Sequence, residues 1–185
     1  MIGLVDIAGL ASVALWATFR LLRLIAIREN ALPIAFALVL IIMVVWFSNP
    51  VFAAIVSVLA PFGVLLPALC LRSIVRSLGV RVTPFHWAEL LGFLVLYGLF
   101  LAASAGVIPV DPYRYGYTLP GAVAIAVLFC LLGFLTDRLF LPLVALLSLT
   151  LWVFGLGSSN AFDNFAHVIL LPAALIALPF AILRR

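Results

Sequence analysis

The sequence predicts an all-α fold, a polytopic transmembrane helix bundle of six spans preceded by an N-terminal helix that is either a seventh span or an interfacial one. Of the 185 residues, 68% are hydrophobic and 9% charged, against roughly 45–50% apolar and about 25% charged in a soluble domain. The mean hydropathy of +1.43 is spread along the whole length, so no polar stretch is long enough to form a soluble domain on a single anchor. The apolar runs approach the roughly 20 residues needed to cross a hydrocarbon core of about 30 Å. One integral membrane domain, 1–185, is expected, with an N-terminal helix in 1–30 and three transmembrane hairpins in 31–185.

Residues 2 to 19 contain Asp6 and just suffice to cross. On a helical wheel Asp6, Ser12, Arg20 and Arg23 share one broad arc, the pattern of an interfacial helix, although Val5, Val13 and Trp16 intrude on it. The arginines follow the apolar stretch instead of preceding it, and no small-residue cleavage site is present, so a removable signal peptide is not expected. The six later spans run approximately 31 to 48, 51 to 71, 86 to 108, 119 to 136, 139 to 156 and 164 to 182. Turn-forming residues separate them: Ser48-Asn49-Pro50, the stretch Pro109 to Pro120, Thr136-Asp137-Arg138, and Gly155 to Asn164.

The arginines test this layout independently. Alternating the loops puts Arg20, Arg23, Arg28, Arg72, Arg76, Arg81, Arg138, Arg184 and Arg185 on one side and Arg114 alone on the other. Basic loops stay on the cytoplasmic side, so the Arg-rich side and the C-terminus are expected there. The arginine-only basic set suits a GC-rich, bacterial genome, which makes the inner membrane the expected location. Because topology accounts for the net charge of +4, the basic balance gives no argument for nucleic acid.

Two hairpins share a spacing. From Leu32-Pro33, one has Ser48-Asn49 at its turn, Pro61 thirteen residues after the serine, then Pro67 and Leu71-Arg72. From Leu141-Pro142, the other has Ser159-Asn160, Pro172 at the same offset, then Pro179 and Leu183-Arg184. A parallel repeat of 32–72 and 141–184 competes here with coincidence in a Leu/Ala/Pro-biased chain. Pro61 and Pro172 fall near mid-membrane, where a kink is expected at each.

Chemistry-bearing residues are few. Cys70 and Cys130 lie in apolar segments without a metal or disulfide spacing. His86 and His167 fall at opposite ends of the layout, about 20 Å or more apart, which argues against a shared haem or metal; no cofactor is expected. Glu89 lies one turn inside its helix, and Asp137, Arg138 and Asp163 lie at turns, so all are expected to reach headgroups or water. With no charge left at mid-membrane, an ion-coupled pump is disfavoured.

The most polar cluster is on the outer side. Asp111, Tyr113, Arg114, Tyr115 and Tyr117 occupy one turn, and Ser158, Ser159, Asn160, Asp163, Asn164 and His167 another. The two are expected to approach each other, with Asp111, Tyr113, Arg114, Ser159, Asn160, Asp163 and His167 as candidates for contact with a lipid headgroup, a glycan or a partner loop. The simpler roles are aromatic-belt anchoring by the tyrosines and an ion pair of Arg114 with Asp111 or Asp163. A serine nucleophile at 158 or 159 with His167 as base and Asp163 or Asp111 behind it is allowed by inventory, yet no Gly-x-Ser-x-Gly elbow is present. The run Asp163-Asn164-Phe165-Ala166-His167 resembles the histidine helix of rhomboid intramembrane proteases over those five residues only. The Gly-rich continuation is missing, and Ser104 sits in Ala-Ala-Ser-Ala-Gly at the far end of its own helix. No catalytic residue is assigned.

Small residues such as Gly92, Ala102, Ala103, Ser104, Ala105, Gly106 and Gly121 permit close helix approach, within the chain or with partners. The expected function is therefore that of a non-enzymatic accessory or scaffolding subunit of a bacterial inner-membrane assembly, in contact with membrane lipid and with a larger membrane protein or further copies of itself. The alternative is a small carrier or a lipid- or glycan-handling protein that uses kinked helices and the outer patch.

Overall fold

The computed structural model describes residues 4–25, 29–46 and 49–183, without the side chains of residues 4 and 55. Expectations on Arg28, Ser48, Arg184 and Arg185 lie outside the described residues. All regular structure among the described residues is helical. In chain order the helices are α1 (Leu4–Leu24), α2 (Ala31–Trp46), α3 (Pro50–Leu59), α4 (Leu65–Ser77), α5 (Trp87–Ser104), α6 (Leu119–Thr136), α7 (Phe140–Val153), α8 (Ala161–Phe165) and α9 (Leu170–Ile182), with a 3-10 turn at Tyr113–Tyr117 before α6.

The membrane reading holds, and the count of six spans is met only in part. Three described helices are long and apolar enough to cross on their own, Val5–Leu24, Trp87–Ser104 and Leu119–Thr136. A fourth crossing results if α2 and α3, whose axes differ by 106°, form one span. At 1.5 Å per residue, the 14 residues of α7 and the 13 of α9 reach only about 20 Å. The N-terminal helix thus meets the length condition that several of the expected spans do not.

Two of the expected spans are broken. In 51–71, helix α3 stops at Leu59, and α4 starts at Leu65 after Ala60-Pro61-Phe62-Gly63. Pro61 has no N–H for a helix bond and its ring crowds the preceding turn. Gly63 follows at φ +59, a left-handed conformation that only glycine adopts freely. The stretch 164–182 breaks too, between Phe165 and Leu170. The kink expected at Pro172 is not there, because Pro172 is the third residue of α9, where a missing N–H costs nothing since the first turn has no intrahelical acceptor.

Both breaks follow the same local plan. Asn49 precedes α3 and accepts the Val51 N–H at 2.8 Å; Asn160 precedes α8 and accepts the Phe162 N–H at 2.9 Å. Asparagine side chains cap helices well because their oxygen replaces a missing intrahelical acceptor. Each short helix is followed by a break, and then by a helix that begins Leu-Leu-Pro-Ala, at Leu65 and at Leu170.

The helices pack around two apolar clusters. Phe19 and Leu22 of α1 meet Ala31 and Ala35 of α2 and Ile74 of α4, the two alanines allowing close approach where no water drives association. The larger cluster joins Val64 and Leu65 to Phe93 and Tyr97 of α5, Phe129 of α6, Leu141 and Val144 of α7, Phe165 of α8 and Leu170 of α9. Gly92 fits under Leu132, so this small residue serves contact within the chain.

The polar termini gather at two ends. At one, Arg23 donates to the Ser77 carbonyl at 2.8 Å, joining the ends of α1 and α4. Around the same end Arg72 and Arg76 of α4, the start of α5, the α6–α7 turn at Arg138 and the end of α9 share one cavity wall. Opposite it lie the 3-10 turn with Arg114, helix α8 and the end of α3. The arginine partition read from the loops therefore coincides, over the described residues, with two ends of the folded chain.

Candidate functional site

At the end opposite the arginines, α8 inserts over an aromatic floor. Phe162 stacks on Phe100 with ring centres 3.9 Å apart, and Phe165 meets Phe129 at 4.2 Å. The floor continues down α5 through Tyr97 and Phe93, at i and i−4 on one helix face. Beneath the inserted helix, the Val64 N–H donates to the Asn164 carbonyl at 2.8 Å, and the Tyr97 hydroxyl to that of Ala166 at 3.3 Å. The break in the α3–α4 strand of chain thus seats against the break between α8 and α9.

Asparagines organise the turn. Asn164 is 1% exposed, and its amide pairs both ways with Ser158, accepting from the Ser158 N–H at 2.7 Å and donating to its carbonyl at 2.9 Å. Asn160 is 0% exposed and donates to the Tyr113 carbonyl at 2.9 Å while capping α8. Buried amides are tolerated only when both ends are partnered, and here each is.

Asp163 receives the Tyr113 hydroxyl at 2.6 Å and, at 3.4 Å, the Ser158 hydroxyl. The short bond to the tyrosine is of the charge-assisted class. Burial, reinforced by the Asp163 carboxylate, pushes the Tyr113 phenol above its ordinary range, so it remains the donor across the physiological range. Asp111 closes its own turn by accepting the Tyr113 N–H at 3.0 Å. The loops at 113 and 160 do meet, as the sequence suggested, through Tyr113, Asn160 and Asp163.

Other candidates go elsewhere. Arg114 is fully exposed and donates a hydrogen bond to the Tyr115 hydroxyl at 3.1 Å; of the ion-pair partners expected for it, Asp111 lies near enough for its charge to act on the guanidinium. Ser159 is exposed and takes part through its carbonyl, which accepts from the Trp152 indole at 2.8 Å. His167 stands in the break after α8. Its Nδ1 accepts the Ile169 N–H at 3.2 Å, which leaves the proton on Nε2 to donate to the Leu59 carbonyl at 3.1 Å. The imidazole also stacks on Phe62, ring centres 6.0 Å apart.

That bonding does not assemble a serine triad. Ser158 bonds Asp163 directly, and both nitrogens of His167 are taken by backbone groups. Ser104 does line the same cavity as His167, together with Tyr97, Phe100, Tyr113 and Asp163, in a space of about 350 Å³. Tyr97 and Phe62 were not among the sequence candidates; the Phe93, Tyr97, Phe100 stripe on α5 was the available signal, and it reads equally as core. His86 begins α5 at the arginine end and His167 lies at the other, and among the described residues no group of three His, Cys, Asp or Glu is clustered.

At the arginine end Glu89 departs from expectation. Instead of reaching water it is 2% exposed, and its carboxylate accepts the His86 N–H at 2.8 Å while the Ala88 N–H donates to His86 Nδ1 at 3.3 Å. This reciprocal cap satisfies free donors at the start of α5, which is what holds the carboxylate inside.

Compared with protein-family models, curated proteins and solved structures, the chain matches none.

Proposed function

We propose that this protein is a non-enzymatic accessory or scaffolding subunit of a bacterial inner-membrane assembly, with the arginine end and the C-terminus in the cytoplasm. The observation that carries the reading is that the outer polar cluster is spent inside the chain: Asn164 bonds Ser158 in its own turn, Asn160 and Asp163 bond Tyr113 across the neighbouring one, and His167 bonds the Leu59 carbonyl at the end of α3. A group committed to its own fold has little left for substrate. The surface that remains is apolar. Helix α2 buries Ala31, Ala35 and Val39 and exposes Phe36, Leu40, Ile41, Val44 and Val45, and it lies at the edge of the bundle against α1. Such a face fits lipid or a helix of a larger membrane protein.

The test is mild extraction from native membranes with a C-terminal tag, followed by native mass measurement of wild type and of Val44→Trp and Asp163→Asn variants. A stoichiometric membrane partner that Val44→Trp releases and Asp163→Asn keeps is the expected result. A wild type that runs as a clean monomer or homo-oligomer overturns it.

A second reading, lipid or amphiphile handling, draws on the cavity of about 350 Å³ beside Ser104, Tyr113, Asp163 and His167. Its size lies within the range of small-ligand sites. An amphiphile retained by wild type and lost in Asp163→Asn would favour it over the first.

A further inference from the structure

The arginine end contains a second polar arrangement, built differently from the outer one. Arg72, Arg76 and Arg138 line a cavity of about 520 Å³, walled by Thr83 and His86 on the α4–α5 connection, by Trp87 at the start of α5 and by Phe180 of α9. On the other side of that connection a further space of about 570 Å³ is lined by Arg72, Arg81, Arg138, Glu89 and Asp137. Four guanidinium groups thus face two carboxylates, and one of these, Glu89, is already engaged by its helix cap. Glu89, Arg76 and Arg138 lie close enough for their charges to act on Arg72.

Arg72 is held in place. Its guanidinium lies 3.8 Å from the ring centre of Phe85 and 4.6 Å from that of Phe140, and it donates to the Thr83 carbonyl. Stacking and a single backbone bond fix the plane of the group while leaving most of its five donors uncommitted. Arg138 is less satisfied still: its Nε is buried and has no hydrogen-bond partner. A buried unpaired donor is costly and rare in folded proteins. Positive topology alone requires arginines near the headgroups; it does not require one to bury an unpaired N–H beside two others around a cavity.

We propose that this cavity is a phosphate site, in which Arg72, Arg76 and Arg138 hold a phosphate group carried by an anionic lipid headgroup or by free phosphate. Phosphate supplies several strong acceptor oxygens and the negative charge that the excess of guanidinium groups lacks, and planar guanidinium donors match its geometry. A lone carboxylate would leave most of so large a cavity unfilled. The apolar wall from α9, with Ala177, Phe180 and Ala181, suits the start of an acyl chain. The site is independent of the accessory reading, since it uses none of the outer cluster.

The experiment uses the full chain, delipidated in detergent, and follows Tm and native mass with two probes: inorganic phosphate, and phosphatidic acid in phosphatidylcholine nanodiscs against phosphatidylcholine alone. One of the probes is expected to raise Tm. Arg76→Gln and Arg138→Gln are each expected to weaken its apparent affinity at least about tenfold, the equivalent of one lost charge-assisted bond, while Arg20→Gln leaves it unchanged. Stabilisation by inorganic phosphate identifies a free phosphate ligand; stabilisation by phosphatidic acid alone identifies a headgroup. Should Arg138→Gln fail to fold, Arg138→Lys keeps the charge without the fork of donors, and the same loss is expected. No response to either probe overturns the proposal, as does an equal loss in Arg20→Gln, which would reduce it to general attraction between basic residues and anionic surfaces.

Discussion

At the end opposite the arginines Asn160 and Asn164 are buried at 0% and 1% exposure with each side-chain amide partnered at both ends, whereas at the arginine end Arg138 buries an Nε with no acceptor. The first arrangement is closed: its donors and acceptors are matched within the chain, so it orders the turn and leaves little to offer a ligand. The second is open, with cation in excess and space around it. Two clusters of similar polarity thus differ in what they can do, because function needs unspent donors while stability needs spent ones.

The comparison is broken most severely at Asn164. Replacing it by alanine removes the partners of both the N–H and the carbonyl of the half-buried Ser158 and empties a buried site, and a loss of about 2–4 kcal/mol is expected in detergent unfolding. Next comes Gly63→Ala. The position has φ +59, and an added Cβ would meet the Asp163 carbonyl at 2.9 Å and the Ala166 nitrogen at 3.0 Å, so about 1–3 kcal/mol should be lost and the seating of the two breaks loosened. Hydrogen exchange at Val64 and Ala166 would report that loosening.

Tyr113→Phe removes one half-exposed donor to Asp163 and should lower stability by about 1 kcal/mol. Its titration sharpens the point. The folded phenol holds its proton more tightly than the unfolded one, so its contribution is complete below the ordinary tyrosine range and is lost as pH rises through the raised value. Absorbance titration should show late phenol absorbance, part of which is lost in Tyr113→Phe and moves to lower pH in Asp163→Asn. At the open end, Arg138→Gln in phosphate-free detergent should leave Tm level or raise it, because it withdraws an unpaired donor. Arg114→Ala should be silent in Tm; a clear loss would mean that the cluster at the 113 and 160 turns extends beyond its closed core.

The polarity of both clusters was legible in the residues, and so was the meeting of the 113 and 160 turns. What could not be read was which groups close on themselves. Asn164 and Asp163 are neighbours in sequence, yet one pairs with the Ser158 backbone and the other with the Tyr113 hydroxyl, a division set by the direction in which α8 enters. Glu89 read as a charge free to reach water, since a capping box depends on the rotamers of two side chains around one helix start. The broken spans were half visible: Pro61 marked its own break, but the interruption near His167 carries no proline or glycine and arises where Phe162 and Phe165 lock onto α5 and α6.

By itself the sequence determined a helical, apolar membrane chain with its arginines segregated from the 113 and 160 turns, because apolar content and charge placement are sums over residues and need no partner to be evaluated. Only the tertiary structure decided where the helices break, which asparagines are buried and which arginine is left without an acceptor. Those are properties of pairs distant along the chain, and a pairing energy exists only once packing has brought both members together.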